Sequence, residues 1–320
     1  MVDLSVVVVS YNTRLLLKAC LESVWRAIAC SAAERTGSSL PAQSTAQPMA
    51  IEVIVVDNGS ADGSADMVRT HFPVVRLIDG ENVGFASGSN KGIAIAGGRY
   101  VLLLNPDTEV VADALVALVR FMDAHPQAGA AGGHLLNPDG SFQQSAFRFP
   151  TRLMSLFDFY HINHRVLNSR LNGRYPLSRY GASFQIDHPL GACLLIRREA
   201  LEQVGPLDEA FFMYCEEMDW CMRIKRAAWE IWYVAEARVI HHGAQSTSQF
   251  RYRMYVELFR SRARFFAKYH SRAYCWSNHQ IVRLGLGREM LQAWRARRSG
   301  RIDQQEYAER LAAYSEVWGL

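Results

Sequence analysis

Apolar residues in the first hundred positions fall into short unbroken runs, separated by turn-forming clusters and by stretches with helical spacing. Leu4 to Val9 is a continuous β-branched run, the signature of a strand buried on both faces. It closes at Ser10-Tyr11-Asn12-Thr13, where Asn12 or Thr13 is placed to cap a helix running through Leu15, Leu16, Ala19, Cys20, Ser23 and Val24 to about Ala29. A second strand, Ile51 to Val56, ends in the turn formers Asp57-Asn58-Gly59-Ser60-Ala61-Asp62-Gly63-Ser64, which lead into a short helix to about His71. Val74 to Ile78 reads as a third strand. The segment from Asn82 to Gly92 then opens a helix that stops near Gly97-Gly98, and Tyr100 to Leu104 is a fourth strand. Strand and helix alternate throughout.

Parallel crossovers are right-handed, so this alternation predicts a Rossmann-like, mostly parallel α/β sheet flanked by helices, its loops gathered on the carboxyl edge. Ligands of open α/β sheets sit at that edge. It collects Asp57, Asn82 and, from Asn105-Pro106-Asp107, Asp107 at the end of a buried run. Asp57 can accept from a ring N–H of a pyrimidine or, as a turn residue, satisfy its own backbone, and Asp107 can bind a divalent cation bridging two phosphates. The chain supplies its own control: Asn137-Pro138-Asp139-Gly140 repeats the tripeptide with Gly next, as a tight turn requires, and is read as structural. The glycines between Gly84 and Gly92 match neither GxGxxG nor a P-loop and identify no phosphate site.

Composition narrows the class without choosing within it. With 320 residues, 49% of them apolar and 21% charged, the chain can build a substantial core. Residues 31 to 50 are Ala, Ser, Thr, Gln, Pro and Gly with little charge, and are expected to form a flexible surface loop. Six cysteines without a CxxC pair indicate neither a disulfide framework nor a zinc ribbon. The opening run lacks the flanks of a signal peptide and no run reaches the ~18 apolar residues of a membrane span, so a cytoplasmic protein is expected. Charge is uneven: residues 251 to 300 carry twelve Lys/Arg against Glu257 and Glu289, a net +10 that leaves the remainder of this +4 chain at −6. Tyr252, Tyr255, Leu258, Phe259, Phe265, Phe266 and Tyr269 interleave with those cations. That pattern suits either helices packed on the body or amphipathic helices on an anionic lipid surface, rather than a nucleic-acid site.

Val6 to Asn12, the Val-Val-Asp-Asn-Gly-Ser stretch from Val55, Asn82 to Phe85, and Tyr100 to Asp107 resemble family 2 glycosyltransferases of GT-A fold, most of all bacterial rhamnosyltransferases of the O-antigen type. Gly191-Ala192-Cys193, Phe211-Phe212-Met213-Tyr214 before an acidic cluster, and His241-His242-Gly243 extend the likeness to about residue 250. The resemblance implies a GT-A domain over 1–248, with a nucleotide-binding half to 110 and an acceptor half after it, and a basic helical extension over 249–320. It implies that Ser10, Tyr11, Asn12, Asp57, Asn82, Gly84, Asn105 and Asp107 contact the nucleotide sugar. Asp107 would be the metal carboxylate, with His241 preferred over His242 as a second contact. Asn105 stands where many relatives carry a second Asp, which removes one anionic ligand and suits Mg²⁺ or Mn²⁺ leaning on substrate phosphates.

In Glu216-Glu217-Met218-Asp219 the resemblance places the base that deprotonates the acceptor hydroxyl. Glu217 is expected in that role, with Asp219 as the second candidate; a plain helix-start charge cluster is the competing reading, which Glu216 also fits. The expected function is inverting transfer of a sugar, L-rhamnose by resemblance, from a dTDP- or UDP-sugar to a saccharide or lipid-linked acceptor, at the inner face of the plasma membrane. A catalytically silent GT-A scaffold is the alternative; a nucleotidylyltransferase is disfavoured because no Gly-rich basic loop follows the first strand. No oligomeric state is implied.

Overall fold

A computed structural model describes residues 2–33, 49–160, 163–243 and 250–320. Its first elements follow the apolar pattern: β1 (Leu4–Ser10), α1 (Arg14–Ala33), β2 (Ile51–Asp57), α2 (Ser64–His71), β3 (Arg76–Asp79), α3 (Phe85–Ile95) and β4 (Tyr100–Leu104). Val74, expected in the third strand, is instead exposed in the turn before it. Of the loop expected at 31–50, residues 31–33 extend α1, and 34–48 lie outside the described residues.

The body continues with β5 (Thr108–Val110), α4 (Ala114–Ala124), β6 (Ala128–Leu136), β7 (Phe142–Gln143), β8 (Ala146–Phe147), α5 (Arg152–Phe159), α6 (His164–Leu167), β9 (Phe184–Gln185), β10 (His188–Pro189), β11 (Cys193–Arg197), α7 (Arg198–Val204), α8 (Glu216–Arg226) and β12 (Glu230–His241). Three helices follow: α9 (Arg251–Tyr269), α10 (Arg272–Arg298) and α11 (Gln304–Trp318). The last strand, β12, runs for 12 residues and ends on His241. The second Asn-Pro-Asp copy is a tight turn as read: the Gly140 N–H donates to the Asn137 carbonyl at 2.9 Å, with Gly140 at φ +81°.

The main sheet runs β3-β2-β1-β4-β11-β6-β12-β5, with β7 on β6 and β9 on β12. The first four strands are parallel, β12 is parallel to β6, and β11 lies antiparallel between β4 and β6. That reversal has a consequence for position. Ser10 pairs with Asp57, and Cys193 at the start of β11 pairs with Leu104 at the end of β4, so the residues before β11 reach the same edge as the loops after β1, β2 and β4. His241, ending β12, pairs with Thr108 beside Asp107. Both faces of the sheet are covered, which is why the strands read as unbroken apolar runs. Leu4, Val6 and Val8 pack against Leu17, Leu21 and Val24 of α1, while Val7 and Val9 share the opposite core with Trp220 and Ile224 of α8.

The C-terminal helices build a core of their own from Phe159, Val256, Phe259, Leu286, Tyr314 and Val317. Phe265 and Phe266 of α9 pack under the loop before α8, against Phe211 and Cys215. Of the two readings left open for this segment, packing on the body holds for Phe259, Phe265 and Phe266, which are buried in the protein, each contributing roughly 2 kcal/mol by area.

Candidate active site

The carboxyl edge opens into a cavity of about 440 Å³, within the range of small-molecule sites. Asp107 and His241 meet on one wall, with His241 Nε2 3.5 Å from Asp107 Oδ1 and both side chains nearly buried. Gln143 fixes which imidazole nitrogen faces Asp107. Its Nε2 donates to Asn137 Oδ1 at 3.0 Å and to the His241 carbonyl at 3.3 Å, so its Oε1 is the acceptor turned to His241 Nδ1 at 2.8 Å. In the neutral ring Nδ1 then carries the proton, and the Nε2 lone pair points toward the Asp107 carboxylate. Two acceptors aimed at a common point are a ligand pair. An oxygen and an imidazole nitrogen suit a borderline-hard divalent cation, and no group of three or more His, Cys, Asp or Glu able to hold a metal occurs among the described residues.

Glu216 and Glu217, in the first turn of α8, line the same cavity. Tyr214 and Cys215, immediately before it, both take left-handed backbone at φ 67° and 64°, a conformation costing roughly 1–3 kcal/mol per non-glycine residue. The strain is held by packing, since Cys215 is wholly buried among Phe211, Phe265 and Phe266. It turns the chain sharply, so that the helix starts at the cavity and not beyond it. Burial pushes the Glu217 carboxyl up to about 7. Burial, and then the neighbouring Glu217 charge, push Glu216 well above the usual carboxylate range. One Oε2 of each carboxyl is buried without a hydrogen-bond partner.

The nucleotide-side loops close the remaining walls. Ser10, Tyr11, Asn82, Gly84, Asn105 and Asp107 all line the cavity as expected. Gly84, at φ +87°, has no room for a side chain, because a Cβ would stand 2.5 Å from the Phe212 carbonyl that accepts the Phe85 N–H. Asp57 lies just behind the wall: Oδ2 accepts the Ser60 N–H at 2.8 Å, while buried Oδ1 has no partner. Asn58 does line the cavity, its Nδ2 donating to the Gly84 carbonyl and its Oδ1 also unpaired.

Two expected residues stand elsewhere. Asn12 Oδ1 accepts the Ala61 N–H at 2.8 Å, tying the first loop to the second without lining the cavity; the N–H at the start of α1 is taken by Asp62. Asp219 points away from the cavity and is fully enclosed. It accepts from Arg223 Nε at 2.9 Å and from the Tyr269 hydroxyl at 2.6 Å, and pairs with Lys268 at 2.6 Å. The geometry corrects its candidacy as a base: it anchors α9 to α8. His242 likewise turns outward to Glu109.

Other cavity residues had no sequence signal. Gln143 comes from a two-residue strand, and Phe250, Arg253 and Met254 come from the entry to α9. Arg253 is the one cationic side chain among the lining residues, its guanidinium 5.5 Å from the centre of the Phe212 ring, and Phe250 lies 6.0 Å from Tyr11. A basic residue in a basic helix carries nothing to single it out.

The family model for Glycosyl transferase family 2 matches residues 5–205. The chain belongs to glycosyl transferase family 2. Among curated relatives, an N-acetylglucosaminyl-diphospho-decaprenol L-rhamnosyltransferase of Mycobacterium tuberculosis is 33% identical over 227 residues, covering 66% of this chain and 72% of that protein. Rhamnosyltransferase WbbL of Escherichia coli is 24% identical over 188 residues, 56% of this chain and 69% of that one. Among solved structures, S. aureus TarS superposes with a TM-score of 0.50 at 16% identity over 90% of this chain and 43% of that one. GalNAc-T7 with UDP, GalNAc and Mn²⁺ gives 0.50 at 15% identity over 75% and 44%. The fold of this family 2 member is GT-A, with added C-terminal helices.

Proposed function

We propose that this family 2 glycosyltransferase is an inverting enzyme that moves L-rhamnose from a nucleoside-diphosphate donor to a lipid-linked saccharide at the cytoplasmic face of a membrane. The observation that carries the reading is that Asp107 with His241, Glu217, and Asn58 with its partnerless Oδ1 all line one cavity. Support for the sugar and acceptor is the named activity of the relatives. The buried Asp57 Oδ1 is a single acceptor left unsatisfied, which the imide N–H of a thymine or uracil would complete.

In this reading Glu217 takes the proton of the acceptor hydroxyl as its oxygen bonds to the sugar C1, and the bond from C1 to the diphosphate oxygen breaks in the same displacement. Asp107 and His241 Nε2 would hold a Mg²⁺ or Mn²⁺, with the diphosphate and water completing its shell. When bound, that cation neutralises charge developing on the departing diphosphate. Gln143 keeps His241 in the tautomer that presents Nε2 inward. Arg253 supplies fixed positive charge on the cavity wall, where a diphosphate would lie against it. Glu216, held neutral by burial beside Glu217, leaves the base as the one carboxylate on that wall that ionises near neutrality. No covalent sugar-enzyme intermediate is required by this displacement, in which the acceptor oxygen itself attacks C1.

The test is a donor panel: dTDP-, UDP- and GDP-sugars with Mg²⁺ or with Mn²⁺, scored by release of nucleoside diphosphate in the presence of polyprenyl-diphosphate-linked N-acetylglucosamine. Release and transfer from dTDP-rhamnose with inversion at C1 is expected. No release from any donor with either cation overturns the proposal.

A further inference from the structure

The basic extension does offer an apolar face, but not the one its sequence advertises. In α10 the buried positions Asn278, Val282, Gly285, Leu286 and Ala293 turn inward; at Gly285 even a Cβ would overlap the Phe159 ring, at 2.1 Å, so this side is pressed against α5. At about 100° per residue, Trp276, Leu284, Leu291 and Trp294 fall within an arc of about 80° on the opposite side. They are 67%, 70%, 46% and 45% exposed, large values for side chains of this size. The stripe is about 27 Å long. Trp318, at the end of α11, adds to its flank, its ring lying 5.6 Å from the Arg283 guanidinium and beside Gly287.

Charge on this face has one sign. Arg272, Arg283, Arg295 and Arg298 border the stripe, Arg298 stacking on the Trp294 ring at 5.0 Å, while Glu289, the one acid of the helix, lies on the far side. Tryptophan and leucine set among arginines on an exposed helix match a bilayer interface, where indoles settle at headgroup depth and guanidinium groups meet lipid phosphates. A second copy of the same surface would bring like charges together. No helix among the described residues is long and apolar enough to cross a membrane, so contact must be made from the surface.

We infer that α10 docks flat on an anionic lipid surface through Trp276, Leu284, Leu291 and Trp294, with Arg295 and Arg298 on the lipid headgroups. The use of this docking, to bring the cavity to a lipid-linked acceptor, rests on the function proposed above; the docking itself does not. The experiment is sedimentation of the full chain with phosphatidylglycerol-containing vesicles and with phosphatidylcholine vesicles, for the wild type, the double variant Trp276→Ser/Trp294→Ser, and Arg295→Gln/Arg298→Gln. Binding of nucleoside diphosphate and size-exclusion elution are measured on the same samples.

The wild type is expected to co-sediment with the anionic vesicles. Each double variant should lose at least about tenfold in partitioning, and the arginine pair should also flatten the dependence on salt. Nucleotide binding and elution volume should not change. A wild type that stays in the supernatant with anionic vesicles, variants that bind as well as the wild type, or a wild-type dimer that the tryptophan variant splits would each overturn the inference. A wild type that binds nucleoside diphosphate but no anionic vesicle fails the docking alone, whereas one that binds the vesicles but no nucleotide fails the transferase reading alone.

Discussion

Replacing Glu217 with glutamine should abolish transfer and yet make the protein more stable at alkaline pH. The carboxyl is raised from 4.5 to about 7 by burial, so the folded state holds its proton more tightly than the unfolded chain does. For a group shifted upward the penalty is absent below the unfolded value, grows between pH 4.5 and 7, and is fully present above pH 7. At 1.36 kcal/mol per tenfold change in proton affinity, ionising Glu217 in place costs at most roughly 3 kcal/mol at pH 8. Glutamine keeps the shape and removes the charge. Melting curves of ligand-free wild type and Glu217→Gln at pH 5 and pH 8 should therefore diverge, the variant gaining roughly 5 °C at pH 8 and far less at pH 5. Transfer rate should fall about 10²–10⁴-fold, the usual worth of a general base. In the wild type it should climb with pH and level off above about 7. A variant that melts lower than wild type by the same amount at both pH values, or that transfers sugar at the wild-type rate, refutes the assignment of Glu217 as a buried base.

Four further outcomes follow from the same geometry. Asp107→Asn should leave the fold intact and abolish Mn²⁺-stimulated release of nucleoside diphosphate, read in a metal titration. Gln143→Leu frees the His241 ring, and the Mn²⁺ concentration giving half-maximal activity should rise about 10–100-fold, the usual cost of losing the group that orients a metal-binding histidine. Arg253→Gln should weaken calorimetric binding of the nucleoside diphosphate about tenfold while nucleoside binding stays unchanged, since a charge-assisted contact to phosphate is worth roughly 1.5–3 kcal/mol. Asp219→Asn leaves Lys268 paired with Asp208 alone and Arg223 held by backbone carbonyls, and the lost charge-assisted contacts should cost about 1.5–3 kcal/mol in denaturant unfolding, with nucleotide affinity unmoved.

The apolar runs of β1, β2 and β4 were legible because strands buried on both faces leave no polar position to blur their limits. The ligand-facing carboxylate at Asp107 was legible for a related reason: it ends such a run, and its double at Asp139 is followed by the glycine of a turn. Glu217 and Asp219 could not be told apart, because two residues on a helix face nearly opposite ways and the deciding contacts, Lys268 and Tyr269, lie some fifty positions later. Separation along the chain also hid Arg253 and Gln143, the latter 98 positions from the His241 ring it meets. In α9, aromatic and basic residues alternate closely enough to suggest a lipid face, yet Phe211 and Cys215 claim its phenylalanines. The exposed stripe of α10 is spread over eighteen residues, where few sequence windows would join its members.

The enclosed aspartate at position 219 joins the helix bearing Glu217 to the helix bearing Arg253. An exchange of the segment after residue 250 between two relatives would therefore carry along Arg253, the partners that enclose Asp219, and the tryptophans of α10, so that one wall of the cavity and the exposed stripe would travel as one cassette.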